Sequence, residues 1–192
     1  MNTKFRSSGV SLPIFSLPSP YGIGNIGKAA RNFIDFLSES GFSYWAILPL
    51  GPTAFGDSPY QCLSSRALNH YFIDLEDLAE KDLLKKKDLC SIDWGNNPRQ
   101  IDYSKIYESR TKVLKIAYKR FKKGKGDYQR GYTTFLRKHQ FTDYACFRVL
   151  KEINGECSWD KFPLEYKHYS ADVFQKLKKE YIAAEKEYEE AS

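Results

Sequence analysis

The sequence has 192 residues and contains few cysteines, few histidines and no long apolar run. Its four cysteines lie far apart in the chain, at Cys62, Cys90, Cys146 and Cys157. None of them stands near one of the three histidines at the spacing of a zinc site, so we expect no structural metal. Isolated cysteines in a chain of this length are typical of free thiols in a reducing compartment, not of a disulfide framework.

The sequence also shows no recognisable membrane anchor or secretion signal. No stretch approaches the roughly 18 consecutive apolar residues of a membrane helix. Pro13 and Pro18 interrupt the N-terminal segment, where a signal peptide would need an unbroken apolar run. We therefore expect a cytoplasmic protein that does not bind a membrane.

Length and composition limit the possible folds. With 42% apolar and 28% charged residues, the chain has the composition of a globular protein. A complete eightfold β/α barrel needs roughly 250 residues, so a closed barrel is excluded unless the chain is part of one. An apolar helical stripe runs from Val173 almost to Ser192 without a residue that would end a helix. This pattern predicts that the sequence is truncated.

The net charge of +6 is concentrated in one region. The segment from Lys81 to Lys138 has 17 basic and 6 acidic side chains, and such a block could bind nucleic acid through the phosphates. Within it, residues recur at helical spacing on one side of a helix: Ile106, Arg110, Val113, Leu114, Ala117 and Phe121. Lys112, Lys115, Lys119 and Arg120 fall between them, which favours a solvated helix face. A basic helical nucleic-acid-binding module remains the alternative interpretation.

The first fifty residues predict a β-α-β unit, and hence an α/β fold. Val10–Phe15 and Tyr44–Leu50 are short apolar runs, typical of parallel strands covered on both faces. Between them, apolar residues repeat with the period of a helix, at Ala30, Phe33, Ile34 and Leu37. Gly41 follows where a helix would end in a left-handed residue. Two parallel strands need such a crossover, which is right-handed in almost all proteins.

The pattern changes after Leu50. Residues 51–60 are rich in turn formers and form a loop at the carboxyl end of a strand, where α/β folds place ligand sites. Mostly helical segments follow: near Leu75–Leu89, Ser104–Lys123, Tyr132–Gln140, Thr142–Ile153 and from about Ser170. Lys122–Gly131, which contains three glycines, is predicted to be a flexible connection between helices.

Gly22, Gly24 and Gly27 match the dinucleotide fingerprint and stand between a strand and a helix. Residues 18–21 separate the first glycine from the strand, and the second strand ends without an acidic residue to bind a ribose. We therefore expect these glycines to shape a loop, and a dinucleotide-binding enzyme is a distant third interpretation. No serine lies in a G-x-S-x-G elbow, and the three histidines have ordinary surroundings, so the sequence shows no nucleophilic triad.

Three longer motifs closely resemble the N-terminal third of amylomaltases, the bacterial 4-α-glucanotransferases or disproportionating enzymes. They are Ser7–Gly24, Ser43–Thr53 and Gly56–Gln61. The resemblance continues to the end of the chain through Asn69–Leu75, Ile101–Tyr103, Asp143–Phe147 and Trp159. It is specific because the Asp-Ser-Pro-Tyr-Gln loop follows the second strand in the expected order.

The resemblance implies a (β/α)8 TIM barrel with a helical insertion after the second strand. Residues 1–62 would form the first β-α-β part of the barrel with its substrate-binding loop. Residues 63–192 would form a largely helical insertion subdomain, so the barrel is incomplete in this chain. The implied reaction transfers an α-1,4-glucan segment to the 4-hydroxyl of glucose or another glucan, with no cofactor. In such retaining enzymes a carboxylate nucleophile and a carboxylate acid/base lie about 5 Å apart.

None of the family's three catalytic carboxylates is in this chain, so the resemblance implies that the isolated chain is inactive. Glu76-Asp77 matches the Glu-Asp motif in which the family carries its acid/base, but it lies far upstream of that position. We therefore interpret it as the start of a helix. Matched by position, the substrate-binding residues are Asp57, Ser58, Pro59, Tyr60 and Gln61. Tyr60 can stack on a sugar ring while Ser58 hydrogen-bonds to its hydroxyls.

Phe55, where many members have Tyr, and Tyr103 are candidates for a peripheral glucan contact. Three positions depart from the family pattern. Asn25 replaces the usual Asp, and Leu68 and His70 stand where Gly and Pro are commoner. The expected partners are α-1,4-glucans such as maltooligosaccharides.

Overall fold

The computed structural model describes residues 6–54, 56–124, 127–138, 141–168 and 170–179. Its contacts divide the chain into two compact units, Met1–Arg130 and Gly131–Ser192. No helix among these residues is both long enough and apolar enough to cross a membrane. All four cysteines are free thiols.

The first unit contains the predicted β-α-β arrangement. Strands β1 (Gly9–Ser11) and β2 (Tyr44–Ala46) pair in parallel, with Val10 opposite Trp45. Helix α1 (Lys28–Glu39) connects them. Gly41 has a φ of 75°, the left-handed conformation expected after the helix. The α/β class is therefore confirmed for this part of the chain.

Both strands are shorter and more exposed than predicted. β1 ends at Ser11 because Pro13, which has no backbone N–H, leads into a 3-10 turn at Ile14–Ser16. β2 ends at Ala46, before Pro49. We predicted a strand covered on both faces, and this is wrong for β2, because the side chain of Tyr44 is 65% exposed. Among the described residues no third strand pairs with this sheet, so each strand has one edge without a pairing strand.

The helices of the first unit agree only partly with the sequence. The helix predicted at 75–89 is two helices, α2 (Leu75–Glu80) and α3 (Lys86–Cys90), because Asp82 between them takes a left-handed φ of 58°. Helix α4 (Tyr103–Lys123) is confirmed. Helix α5 (Asp127–Lys138), which continues past Arg130 into the second unit, begins earlier than predicted and includes Gly131. The flexible connection predicted at 122–131 is therefore wrong over most of its length.

The core of the first unit joins the β-α-β segment to later parts of the chain. Its buried side chains are Ile14, Leu17, Ile23, Ala30, Tyr71, Phe72 and Ile106. A second cluster packs α2 and α3 on α4 through Leu75, Leu84, Leu89, Val113 and Ala117. Burial of these apolar surfaces, at about 25 cal/mol per Å², stabilises the unit.

Arg110 lies fully buried on the inner face of α4. Its Nη1 donates a 2.8 Å hydrogen bond to the carbonyl of Ile73, and its guanidinium lies 5.7 Å from the ring centroid of Trp94. Nε and Nη2 have no hydrogen-bond partner among the described residues. Burial lowers the pKa of Arg110 to about 10, although the negative charge of Asp74 acts in the opposite direction and raises it. In the sequence, Arg110 belongs to an otherwise apolar helical stripe. The structure shows that this position holds a buried cation.

The second unit contains helix α6 (Thr142–Ile153), the short helix α7 (Leu164–Lys167) and a further helix over 171–179. The predicted helix at 142–153 is confirmed, and the one predicted from about Ser170 is present. The small core of this unit consists of Cys146, Leu150, Phe162 and Leu177. The turn after α6 is held by Lys151, whose Nζ donates to the carbonyls of Glu156 and Cys157, each at 2.9 Å.

Candidate functional site

The loop after β2 folds back on itself as a hairpin-like turn. Thr53 forms an antiparallel bridge with Cys62. The amide of Ala54 donates to the carbonyl of Gln61 at 3.2 Å, and the amide of Leu63 donates to the carbonyl of Pro52 at 2.8 Å. These cross-links hold residues 57–60 at the tip, while Phe55 lies outside the described residues.

Asp57 shapes this tip. Gly56 and Asp57 both have a positive φ, 88° and 52°, and the Asp57 conformation is uncommon for any residue except glycine, asparagine and aspartate. The hydroxyl of Thr53 donates to the Asp57 carboxylate at 3.1 Å. The backbone amide of Asp57 donates to the carbonyl of Ala54 at 3.1 Å. Asp57 thus holds the loop in shape through its own side chain and backbone.

The remaining loop residues differ in exposure. Tyr60 is 74% exposed, and Gln61 is also exposed. Ser58 and Pro59 are half-buried. A tyrosine this open in a folded chain offers a free aromatic face together with a hydroxyl that can donate or accept a hydrogen bond. The loop therefore presents one aromatic ring and several polar groups on a fixed backbone.

Tyr103 lies next to this loop, although 43 residues separate it from Tyr60 in the sequence. A small cavity of about 10 Å³ is lined by Asp57, Pro59 and Tyr103. Burial raises the pKa of Tyr103, and the negative charge of Asp57 raises it further. The structure therefore brings together the expected loop and one of the two expected peripheral residues.

A larger cleft, of about 800 Å³, also reaches Tyr103. One wall is the segment 15–24, and the other is the segment 94–101. The second wall carries polar side chains that the sequence analysis did not identify: Asn96, Asn97, Arg99 and Gln100. The signal that could have revealed them is the run Asn-Asn-Pro-Arg-Gln, which is rich in polar and turn-forming residues directly before the Ile-Asp-Tyr motif.

The glycines of the apparent dinucleotide fingerprint have packing roles. A Cβ on Gly24 would overlap the carbonyl oxygen of Ile14, and a Cβ on Gly27 would overlap the Asp74 carboxylate. Gly22, with a φ of 74°, lies against the backbone of Trp94. Each glycine allows a close backbone approach inside the protein, which supports the interpretation that they shape a loop.

Among the described residues, neither the Glu76-Asp77 pair nor the basic face of α4 forms a binding site. Glu76 and Asp77 lie in the first turn of α2, and Asp77 forms a 3.4 Å ion pair with Arg31. Within the described ranges, no group of three or more His, Cys, Asp or Glu side chains could hold a metal ion. On α4, Lys112, Lys115 and Lys119 are exposed between buried positions, as expected for a solvated face.

Comparison with known proteins decides the family. A family model described as 4-alpha-glucanotransferase matches residues 12–190. The chain belongs to this family. A 4-alpha-glucanotransferase of Streptococcus pneumoniae is 42% identical over 162 residues, which are 83% of this chain and 32% of the relative. The enzyme of the same name from Thermus thermophilus is 40% identical over 162 residues, 83% of this chain and 31% of the relative.

A solved structure agrees with this 4-alpha-glucanotransferase assignment. The amylomaltase from Streptococcus agalactiae in complex with acarbose superposes with a TM-score of 0.78 at 35% sequence identity. The match covers 88% of this chain and 37% of that protein. The chain thus spans about a third of the length of the relatives that it matches. The amylomaltase resemblance is confirmed, and nothing in these comparisons supports the nucleic-acid or dinucleotide alternatives.

Proposed function

We propose that this chain is part of a 4-α-glucanotransferase, which transfers α-1,4-glucan segments to the 4-hydroxyl of glucose or another glucan. Family membership supports this proposal, as does the similarity to the amylomaltase whose structure was solved in complex with acarbose. The proposed reaction is a retaining double displacement, which needs a carboxylate nucleophile and a carboxylate acid/base about 5 Å apart. We assign neither role to a residue of this chain, and we propose no cofactor.

For the fold, we propose that β1, α1 and β2 begin a (β/α)8 barrel. A parallel pair joined by a crossover helix is the repeating unit of that fold. In this arrangement residues 1–62 belong to the barrel and carry its substrate loop. Residues 63–192 would then be the helical insertion after the second strand, in keeping with their helical content.

For the site, we propose that Asp57, Ser58, Pro59, Tyr60 and Gln61 bind the glucan. The observation that carries this proposal is the exposed Tyr60 ring on a loop whose backbone is held by Asp57. Tyr60 would stack on the apolar face of a sugar ring, and Ser58 and Gln61 would hydrogen-bond to its hydroxyls. Asp57 and Pro59 would position the loop. Phe55 and Tyr103 are proposed as a peripheral glucan contact.

The test is disproportionation of maltotriose by the intact enzyme with Tyr60→Ala. Loss of the stacking surface is expected to lower kcat/KM by about tenfold, or roughly 1–2 kcal/mol of transition-state binding. Tyr60→Phe keeps the ring and should retain most of the activity. Leu68→Ala is the matched control, because Leu68 is 67% exposed but lies outside the loop. Unchanged kcat/KM in Tyr60→Ala would count against the proposed site.

A further inference from the structure

A second cavity, of about 310 Å³, lies within the second unit. Its floor is apolar, because Cys146, Leu150 and Phe162 are each at most 5% exposed. Trp159, Asp143 and Lys167 also line it and are less buried. We call these six residues the Trp159 pocket. Its volume is near the lower end of the roughly 300–1,000 Å³ found for ligand pockets, so it has room for a small ligand or for one unit of a chain.

Trp159 gives this pocket an open aromatic face. It begins a 3-10 turn, Trp159–Lys161, in which no residue is buried, and it is 59% exposed. Tryptophan is highly buried on average in folded proteins, so an open indole beside a cavity is unusual. In the described part of the chain its Nε1 takes part in no hydrogen bond. The ring therefore offers both an apolar plane and an unused donor.

Asp143 and Lys167 supply the polar groups of the pocket. Neither side chain forms a hydrogen bond or an ion pair with another described residue. The carboxylate can only accept hydrogen bonds, and the ammonium can only donate them. Since their charges are opposite, the two groups together favour neither an anion nor a cation. The ligand that fits best is neutral and carries both donors and acceptors.

A sugar ring has this combination of properties. Its C–H face can lie on the indole plane, and its hydroxyls can donate to Asp143 and accept from Lys167. We propose that the Trp159 pocket binds a glucosyl unit of an α-1,4-glucan, as a second glucan site besides the Tyr60 loop. The choice of an α-1,4-glucan among sugars rests on the proposed function. The pocket itself is inferred from the described side chains alone.

The test is isothermal titration of the whole protein with maltoheptaose, together with kinetics on maltotriose. Trp159→Ala is expected to weaken binding at one site by about tenfold, a typical loss for one aromatic contact. Leu164→Ala is the matched control, since Leu164 is 85% exposed and does not line the pocket, and it should change neither the affinity for maltoheptaose nor kcat/KM on maltotriose. Asp143→Asn preserves the shape of the pocket and should weaken binding several-fold, even if Trp159→Ala does not fold.

The possible failures can be told apart. If Trp159→Ala and Asp143→Asn bind maltoheptaose like the wild type while Tyr60→Ala loses affinity, the second site is wrong and the proposed function stands. If the wild-type protein binds no maltoheptaose, both proposals fail. Cellohexaose serves as the β-linked probe. Trp159-dependent binding of cellohexaose without binding of maltoheptaose would also overturn the α-glucan assignment.

Discussion

The carboxylate of Asp74 accepts a 3.3 Å hydrogen bond from the backbone amide of Lys28, across 46 residues of sequence. The same carboxylate accepts a 3.0 Å hydrogen bond from the amide of Glu76. One buried side chain therefore caps the first turns of both α1 and α2. Asn25, at the position of the usual family Asp, also donates to Asp74, at 3.5 Å.

We predict that Asp74→Ala lowers the free energy of unfolding by about 2–4 kcal/mol. It removes two helix caps, each worth about 1 kcal/mol, and leaves the buried Arg110 without its nearby negative charge. Urea denaturation at pH 7 measures the loss. Asp77→Ala is the control, because its partly exposed ion pair with Arg31 should contribute less than about 0.5 kcal/mol. Equal losses in the two variants would show that Asp74 does not link the helices.

We predict opposite effects for alanine at two glycines. Gly24→Ala should destabilise the protein by about 2–3 kcal/mol, because its Cβ would overlap the backbone of Ile14 and Leu17. Gly131→Ala should stabilise it by about 0.5–1 kcal/mol, because Gly131 lies inside α5 with open space around it. Thermal unfolding of both variants provides the comparison. A destabilised Gly131→Ala would contradict the helix at that position.

We predict that part of the acid sensitivity of this protein comes from Asp88. Arg120 donates a 2.6 Å hydrogen bond to its carboxylate, and this bond, with that from the Lys85 amide, lowers the pKa of Asp88. Stabilisation by a carboxyl with a lowered pKa is complete above its unfolded value, near 3.9, and is lost as pH falls through the folded value. Asp88→Asn should therefore lose less stability than the wild type between pH 7 and pH 3. An unchanged pH dependence of urea denaturation would argue against this contribution.

We predict that the 192-residue chain alone does not disproportionate maltotriose. Covalent glycosyl transfer needs two carboxylates, one on each side of the glycosidic bond. Glu76 and Asp77 do not supply such a pair, because they lie in the first turn of α2, where Asp77 forms an ion pair with Arg31. The exposed two-stranded sheet should also make the isolated chain prone to aggregation. Chromatography of the products, with mass spectrometry to exclude a contaminating enzyme, checks the activity. Glucose and maltotetraose formed by the pure chain would contradict the prediction.

Local patterns in the sequence were sufficient for several elements. The 3.6-residue periodicity predicted α4 and α6 because each carries buried apolar side chains at helical spacing, Val113 and Ala117 on α4 and Cys146 and Leu150 on α6. The turn-rich run after Leu50 predicted the loop that carries Tyr60, because those residues cannot continue a strand. The motifs were specific enough to indicate the family, which the comparisons confirmed. The binding roles of Asp57, Ser58, Pro59, Tyr60 and Gln61 stay predictions.

Other features depended on contacts between residues far apart in the chain. Periodicity places Arg110 among apolar neighbours, but only the packed core shows it fully buried and bonded to Ile73. The break between α2 and α3 likewise follows from the left-handed Asp82, which no helical pattern reveals.

The sequence by itself determined helices α4 and α6, the turn-rich loop and the family, since each depends on residues that are neighbours in the chain. Only the tertiary structure decided that Asp74 caps two helices and that Tyr103 lies beside the loop of Asp57. It also brought Trp159 together with Asp143 and Lys167 in one pocket. The physical reason is that a buried polar group pairs with whichever group the folded chain brings within hydrogen-bond distance. The local sequence pattern contains no information about a partner that is distant in the chain.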